Sequence, residues 1–163
     1  EVRDNLKTTI RQAREVTQKA NDTLDKFRSI KADPSLDVLY SGKDENWITN
    51  VNVDISKETA PDRFLRVGLE DIGEGNDLNL EVGRRNGGFG ARAGIIAGEA
   101  GIGLDAYGGD RWVFSADGYD PNDFRLRLSA LYRLNGNTSL MGQWRDVNKR
   151  DRRAAYFGLH HAF

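Results

Sequence analysis

The clearest pattern in the chain is an alternation of apolar and polar residues that ends at Leu134. From Phe124 onward every even position is apolar, whereas Arg125, Arg127 and Arg133 occupy odd positions. Because side chains alternate across a β-strand, this segment predicts a strand with one apolar face and one cationic face. It is also long enough to cross a bilayer when tilted, which takes about 9–11 residues. The strand alone fits both a soluble sandwich, which buries the apolar face, and a membrane barrel, which turns it toward lipid.

The first thirty residues have a longer period, which predicts a helix. Nine apolar positions from Val2 to Ile30 are separated by three or four residues, with a mean spacing of 3.5. That is the heptad period of helices that pack on one another, not the 3.6 period of an isolated surface helix. We expect the helix to end at Ala32–Pro34, because proline cannot continue it. Two interpretations are open: the helix lies on a neighbouring domain, or it associates with copies of itself.

From Ser35 onward the period falls to two, and candidate strands follow one another with short connections. Those at 86–88, 108–110 and 135–137 contain Asn, Gly and Asp, which favour tight antiparallel turns. This succession predicts a mainly β fold, an up-and-down antiparallel transmembrane β-barrel of about ten strands, with eight also open, preceded by one α-helix. The predicted domains are a coiled-coil-like helix at 1–33 and a barrel at 34–163. The candidate strands are 36–42, 47–56, 63–71, 78–85, 89–97, 100–107, 111–118, 124–134, 138–146 and 153–163.

The two faces of these strands differ in polarity. One carries most large apolar side chains, and the other carries charges of both signs together with glycines. A soluble barrel needs its large apolar side chains inside, so this division favours a narrow barrel whose lumen is filled by ion pairs. A β-sandwich with a wet outer face is the alternative. The predicted lumen charges are Arg66, Glu70, Glu81, Arg92, Asp105, Arg111, Asp117, Arg125, Arg127, Arg133 and Arg145. The predicted lipid-facing residues are Trp47, Leu65, Val67, Leu80, Phe89, Trp112, Phe114, Leu126, Leu128, Trp144, Phe157, Leu159 and Phe163.

Composition and turn lengths refine this picture. The formal charge of −1 gives no reason to expect a nucleic-acid partner, and the absence of cysteine excludes disulfides. The chain begins at Glu1 and not at Met, so we expect it to be part of a longer protein. Most of the tight turns fall at the end of the barrel where the helix enters, and the longer connections at the other. Outer-membrane barrels have short periplasmic turns and longer outward loops, so we expect a bacterial outer-membrane location with the helix in the periplasm.

Two resemblances to known proteins extend these expectations. Residues 156–163, YFGLHHAF, are similar to the C-terminal signal that outer-membrane proteins present to the barrel-assembly machinery. Residues 63–77 (RFLRVGLEDIGEGND), 101–106 (GIGLDA) and 118–131 (GYDPNDFRLRLSAL) resemble the C-terminal region of MlaD-like mammalian-cell-entry (MCE) proteins. The MCE resemblance implies that the chain is the outer-membrane anchor and terminus of a system moving phospholipid between the inner and outer membranes. Because charged side chains would fill the lumen, we expect lipid to pass outside it, along the apolar side of the helix at Leu24, Phe27 and Ile30.

The chain offers little catalytic chemistry. His160 and His161 are adjacent on a strand and therefore face opposite ways, so they cannot share a metal. The acidic residues around Asp120 lack the spacing of an EF-hand and fit an ordinary turn. We therefore expect no enzyme activity, no cofactor and no metal. The alternative functions are a structural anchor of autotransporter or adhesin type and a barrel enzyme that acts on envelope lipid.

The heptad seam generates a first prediction. We expect Ile10→Asp to remove most of the crosslinked oligomer of the full-length protein, because the apolar seam supplies most of the stability of a coiled coil. Crosslinking in the cell envelope, followed by gel electrophoresis, measures this. Loss of oligomers when the helix is deleted but not in Ile10→Asp would contradict the seam.

Overall fold

The computed structural model describes residues 2–27 and 29–163, and within the helix it describes the side chains of residues 3–5 and 7–23. Over these residues the chain forms one helix followed by ten strands, which confirms the predicted mainly β barrel fold. The elements are α1 (Val2–Phe27), β1 (Ile30–Ser41), β2 (Asn46–Lys57), β3 (Ala60–Glu70), β4 (Asp77–Asn86), β5 (Phe89–Ile96), β6 (Glu99–Gly108), β7 (Trp112–Tyr119), β8 (Arg125–Arg133), β9 (Thr138–Arg145) and β10 (Ala154–Ala162).

The ten strands close into a single antiparallel barrel. Each strand pairs with its neighbours in sequence, and β1 pairs with β10 from Ser35–Ala162 to Ser41–Tyr156. The helix end of the barrel carries the start of β1 and the turns at 58–59, 87–88, 109–111 and 134–137. The loop end, opposite, carries the connections at 42–45, 71–76, 97–98, 120–124 and 146–153. Closure leaves no unpaired sheet edge, so every strand has two partners.

The junction between helix and barrel differs from the expected one. The helix ends at Phe27, and β1 runs through Pro34, where the sequence predicted the helix to stop. Pro34 is tolerated in the strand because β10 has already ended beside it: Ser35–Ala162 is the last pair, and Phe163 donates its N–H to the Pro34 carbonyl at 3.0 Å. The N and O of one residue point to the same side of an antiparallel strand, so the nitrogen of Pro34 faces Phe163, beyond the last pair of the β1–β10 ladder, and its missing N–H removes no bond from that ladder.

The described part of α1 is fully accessible. Every described side chain from residue 3 to residue 23 is exposed, including Ile10 and Val16 at 46% and 67%. The side chains of Leu24 and Phe27, two of the three residues proposed for a lipid path, lie outside the described residues. The third, Ile30, is the first residue of β1 and is 36% exposed. Self-association through the seam therefore stays a prediction.

Closure of the barrel depends on a close approach at Gly158. A Cβ at this position would lie 1.9 Å from the Val38 carbonyl oxygen and 2.9 Å from the Leu39 Cα. Behind this contact lies a buried apolar cluster on the lumen side, made by Leu39, Ile48, Met141 and Tyr156. Glycine therefore lets β1 and β10 come together over the cluster, because no side chain fits between them.

Gly158→Ala tests this contact. We expect it to lower the free energy of unfolding by about 2 kcal/mol, because a methyl group without space forces backbone shifts. Thermal unfolding followed by far-UV circular dichroism measures the change. Gly136→Ala is the matched control, since a Cβ there meets nothing within 4 Å. Equal unfolding midpoints for the two variants would contradict the proposed constraint.

Candidate functional site

The centre of the lumen is occupied by Arg92 of β5. Its guanidinium reaches the carboxylates of three other strands: Glu81 of β4 at 2.9 Å, Asp105 of β6 at 2.8 Å and Asp117 of β7 at 2.6 Å. Only 3% of its side chain is exposed. Ser115 of β7 donates to Asp105 at 2.7 Å, which satisfies a further lone pair. Buried charge is stable only when it is paired and hydrogen-bonded, and this cluster meets both conditions.

Arg127 of β8 carries the network across the lumen. It contacts Asp117 at 3.0 Å and Glu70 of β3 at 2.6 Å. Residues that are far apart in the sequence therefore meet inside the barrel. Asn79 extends the network by donating to Glu70 at 2.9 Å and to Asn52 at 3.0 Å. Its carbonyl oxygen accepts the Ala97 backbone N–H at 2.8 Å, which ties the network to the β5–β6 turn.

Further ion pairs continue the network toward both ends. At the helix end Arg66 and Arg85 share Asp54, at 2.8 and 3.1 Å. At the loop end Arg145 contacts Asp71 at 2.9 Å, and Arg125 contacts Asp146 at 2.5 Å. Beside the closure His160 and Asp37 lie 2.6 Å apart. The network therefore lines the barrel along its length.

The space that remains in the lumen is small and polar. A cavity of about 280 Å³ lies among the charged side chains, and a second of about 330 Å³ lies at the helix end beside Arg111, Arg133 and His160. Both volumes are near the lower limit of the 300–1,000 Å³ that is usual for ligand pockets. An acyl chain entering it would have to displace charges from their partners, and unpaired buried charge is costly. The arrangement therefore acts chemically as a polar plug.

The structure places nine of the eleven predicted lumen charges in this network and two outside it. Arg111 and Arg133 are exposed at the helix end. They share the inward parity, but Arg111 lies in the turn before β7 and Arg133 is the last residue of β8, so both reach solvent at the mouth. Arg111 donates to the Arg133 carbonyl at 3.2 Å and lies over the Tyr132 ring. Parity did not predict how near these two residues lie to the end of the barrel.

Several members of the network were missed as site residues. Asp54 and Arg85 have the inward parity, so the alternation contained a signal for them. The Asp37–His160 pair had no such signal, because it depends on how β1 and β10 align at closure. His161, on the opposite face, lies 2.9 Å from the Thr138 hydroxyl and packs edge-on against the Phe163 ring.

The outer wall of the barrel is apolar and exposed. Trp47, Phe89 and Phe163 are 65%, 72% and 72% exposed, values that a folded chain rarely gives to aromatic side chains without a partner. The other predicted lipid-facing residues also have the outward parity. Of these, Leu126 is half-buried and the following are exposed: Leu65, Val67, Leu80, Trp112, Phe114, Leu128, Trp144, Phe157 and Leu159.

Aromatic side chains on this wall concentrate near the two ends of the strands. At the helix end Trp112 stacks on Phe114 at 5.4 Å between ring centroids and packs on Tyr132 at 4.9 Å. At the loop end Tyr40 packs on Trp47 at 5.1 Å. Aliphatic residues such as Leu80, Ile102, Leu104 and Leu128 occupy the middle of their strands. Two aromatic belts around an aliphatic band are typical of a bilayer-facing surface.

The loop end is held together by ion pairs between two of its loops. Asp123, in the β7–β8 loop, accepts hydrogen bonds from Lys149 and from Arg152 of the β9–β10 loop, the latter at 2.7 Å. These bonds, with that of Lys149 the strongest, lower the pKa of Asp123 to about 2. The tie between the two loops therefore persists in mildly acidic medium.

Within the part of the chain that the structure describes, no group of three or more His, Asp and Glu side chains could hold a metal ion. No helix among the described residues is both long and apolar enough to cross a membrane.

Arg92→Leu tests the central cluster. We expect it to lower the free energy of unfolding by about 3–5 kcal/mol, because three buried carboxylates lose their partner. Urea-induced unfolding, followed by tryptophan fluorescence, measures the change. Arg133→Leu is the control, since the same substitution at an exposed position should cost less than about 1 kcal/mol. A similar urea midpoint for the two variants would show that Arg92 is not central to stability.

Comparison with known proteins identifies a family. No curated protein matches the chain. A solved structure titled "De novo design of transmembrane beta-barrels" is similar, with 15% identity over 81% of this chain and 94% of its own, at a TM-score of 0.37. A family model described as a lipocalin-like domain matches residues 70–163, from the end of β3 to the end of the last strand. This match covers more than half of the chain, which therefore belongs to the lipocalin-like domain family.

Proposed function

We propose that the chain is a bacterial outer-membrane β-barrel that serves as the anchor and terminus of an MCE-type system moving phospholipid between the inner and outer membranes. The barrel holds the protein in the outer membrane, and the helix extends into the periplasm. Lipid passes outside the lumen, along the helix and onto the outer wall. The chain itself catalyses no reaction and holds no cofactor.

The observation that carries this proposal is the inverted distribution of polarity across the barrel wall. Buried residues inside include Glu81, Arg92 and Arg127, whereas the outer wall exposes leucines, valines and aromatic side chains. In water this arrangement would leave large apolar patches unpartnered and place charges where they gain least. In a bilayer the outer wall meets acyl chains, and the ion pairs remain away from lipid.

The orientation follows from the two ends of the barrel. Longer connections at 71–76, 120–124 and 146–153 lie at the loop end, whereas the turns at the helix end have two to four residues. In outer-membrane barrels the short turns face the periplasm. This supports a periplasmic helix and an outward-facing loop end.

The role in lipid movement rests on three features together. The sequence resembles MCE proteins, the family is lipocalin-like, and the lumen is too small and too charged for a two-tailed lipid. The heptad seam of α1 supports self-association of the full-length protein, and β10 supports recognition by the barrel-assembly machinery. A purely structural anchor is the second candidate, and the plugged lumen favours it equally, so lipid contact outside the barrel distinguishes the two.

Leu128→Arg and Leu134→Arg test the membrane proposal, because they make the same substitution at two different expected depths in the bilayer. Leu128 lies in the middle of β8, whereas Leu134 follows its last residue, and both side chains are exposed. A charge costs about 2–4 kcal/mol at the bilayer midplane and about 0–1 kcal/mol near the interface. We therefore expect Leu128→Arg to reduce folding into vesicles at least about tenfold more than Leu134→Arg.

The measurement is the fraction of each variant that becomes protease-resistant after refolding into phospholipid vesicles. On a water-soluble barrel both positions would face solvent, so neither substitution would matter. Equal yields for the two variants, or a native chain that stays folded and monomeric without detergent, would contradict the proposal.

A further inference from the structure

We propose that a furrow along the outer side of β5 is a specific binding site for one anionic phospholipid. The β5 furrow has Ala91 and Ala93 as its floor and side chains of β4 and β6 as its walls. This inference rests on the proposed function, and it adds the place where lipid is held and the headgroup charge that is selected.

The shape of the β5 furrow follows from side-chain size and strand register. Val82 of β4, Ala93 and Ile102 of β6 are aligned in one row across the three strands. The side chains of Val82 and Ile102 are each 64% exposed. The side chain of Ala93 between them is a single methyl group, so the wall is lower there. Leu104, 60% exposed, continues the wall beside Ala91. The furrow is part of an open cavity of about 1,020 Å³ that is lined mainly by apolar side chains and also extends over β1–β3, where Ile30, Ile55 and Leu65 line it.

The charge at one end of the furrow indicates an anionic ligand. Lys57, Arg63 and Arg84 line it at the helix end of the barrel, and all three are exposed. Arg63 and Arg84 stand directly opposite each other on β3 and β4, a like-charge pair that is unfavourable without an anion between them. Asp62 lies 3.4 Å from Arg84 and neutralises the charge of that arginine, so within the described part of the chain two of the three cations keep an unpaired charge. Among the ion pairs of the described residues none includes Lys57 or Arg63, in contrast to the arginines of the lumen network.

The position of the furrow connects it with the helix. Ile30, the last apolar position of the heptad series and the first residue of β1, lines the same cavity. The cations lie at this end, and the apolar trough extends from them toward the loop end. A phospholipid arriving along the apolar side of α1 would meet the cations with its phosphate while its acyl chain enters the trough. In the proposed orientation this is the periplasmic leaflet of the outer membrane.

A second depression on the outer wall differs from the furrow in the charge of its lining. It has a volume of about 650 Å³ and is lined by Trp112, Tyr132, Leu140, Trp144 and Phe157, among other uncharged residues. With no charged side chain in its lining, it fits the general contact of a barrel with acyl chains. Of these two depressions of the described barrel wall, the β5 furrow is the one that combines an apolar trough with excess positive charge, and this combination selects a headgroup.

The test uses the full chain folded into phosphatidylcholine vesicles that contain a small fraction of phosphatidylglycerol with a photoactivatable acyl chain. Labelled peptides are identified by mass spectrometry after illumination. Arg63→Gln with Arg84→Gln removes the headgroup site. Arg111→Gln with Arg133→Gln is the matched control, because it removes the same charge from exposed residues at the same end of the barrel. Ala93→Phe fills the trough, and Ala130→Phe fills the second depression as its control.

We expect labelling of β4–β6 by phosphatidylglycerol to fall by roughly 25-fold in Arg63→Gln/Arg84→Gln, since each of the two cations near an anionic lipid contributes about a fivefold affinity. The Arg111→Gln/Arg133→Gln control should change it by less than about twofold. Ala93→Phe should reduce the same labelling, whereas Ala130→Phe should not. A photoactivatable phosphatidylcholine should label β4–β6 weakly in every variant.

Vesicle insertion is measured first for every variant, so that a failure of the proposed membrane function can be distinguished from a failure of the furrow as a binding site. If the native chain does not insert, both the proposed function and the furrow are overturned. If all variants insert and both double variants label equally, the proposed function stands and the furrow is overturned. Equal labelling by phosphatidylcholine and phosphatidylglycerol would likewise overturn the choice of an anionic ligand.

Discussion

The structure depends on the contact between Arg92 and three carboxylates in the middle of the barrel. Ten strands enclose too little space for a free channel once charged side chains enter, and buried charges must find partners. Glu81, Asp105 and Asp117 supply them from three different strands. The cluster also explains one of the inward glycines, because a Cβ at Gly103 would lie 2.5 Å from the Arg92 guanidinium. Filling the lumen in this way fixes the relative positions of β4–β7.

In the proposed function a filled lumen leaves the outer wall as the surface that contacts lipid. Lipocalin-like barrels are grouped by fold, and fold alone does not assign a binding surface. Among the described residues the interior retains two small cavities beside charged side chains, whereas the exterior offers large exposed apolar surfaces with two depressions. The one depression that also carries a cluster of cations lies where the helix enters. The same inversion of polarity therefore supports both membrane anchoring and lipid binding outside the barrel.

Much of this architecture was predictable from local pattern. The alternation of polarity predicted ten strands whose centres agree with the structure, and it placed the apolar side chains outward and most charges inward. The prediction was wrong at Pro34, where proline signalled a helix end although the strand tolerates it beside the finished β10. Depth was also missed at Arg111 and Arg133, because parity gives the side of a strand and not the distance to its end. The buried apolar cluster around Leu39 went unpredicted for a related reason, since it depends on which strands meet at closure.

The sequence by itself determined the succession of alternating segments, the face on which each side chain lies and the heptad period of the helix, because these depend only on neighbours along the chain. Only the tertiary structure decided which side chains pair with one another across the lumen. Arg127 meets Glu70 across 57 residues, and His160 meets Asp37 across 123. A period of two is unchanged when one strand slides by two residues past the next. Only closure of the barrel fixes that stagger, and with it the ion pairs of the lumen and the alignment of Val82, Ala93 and Ile102 in the furrow.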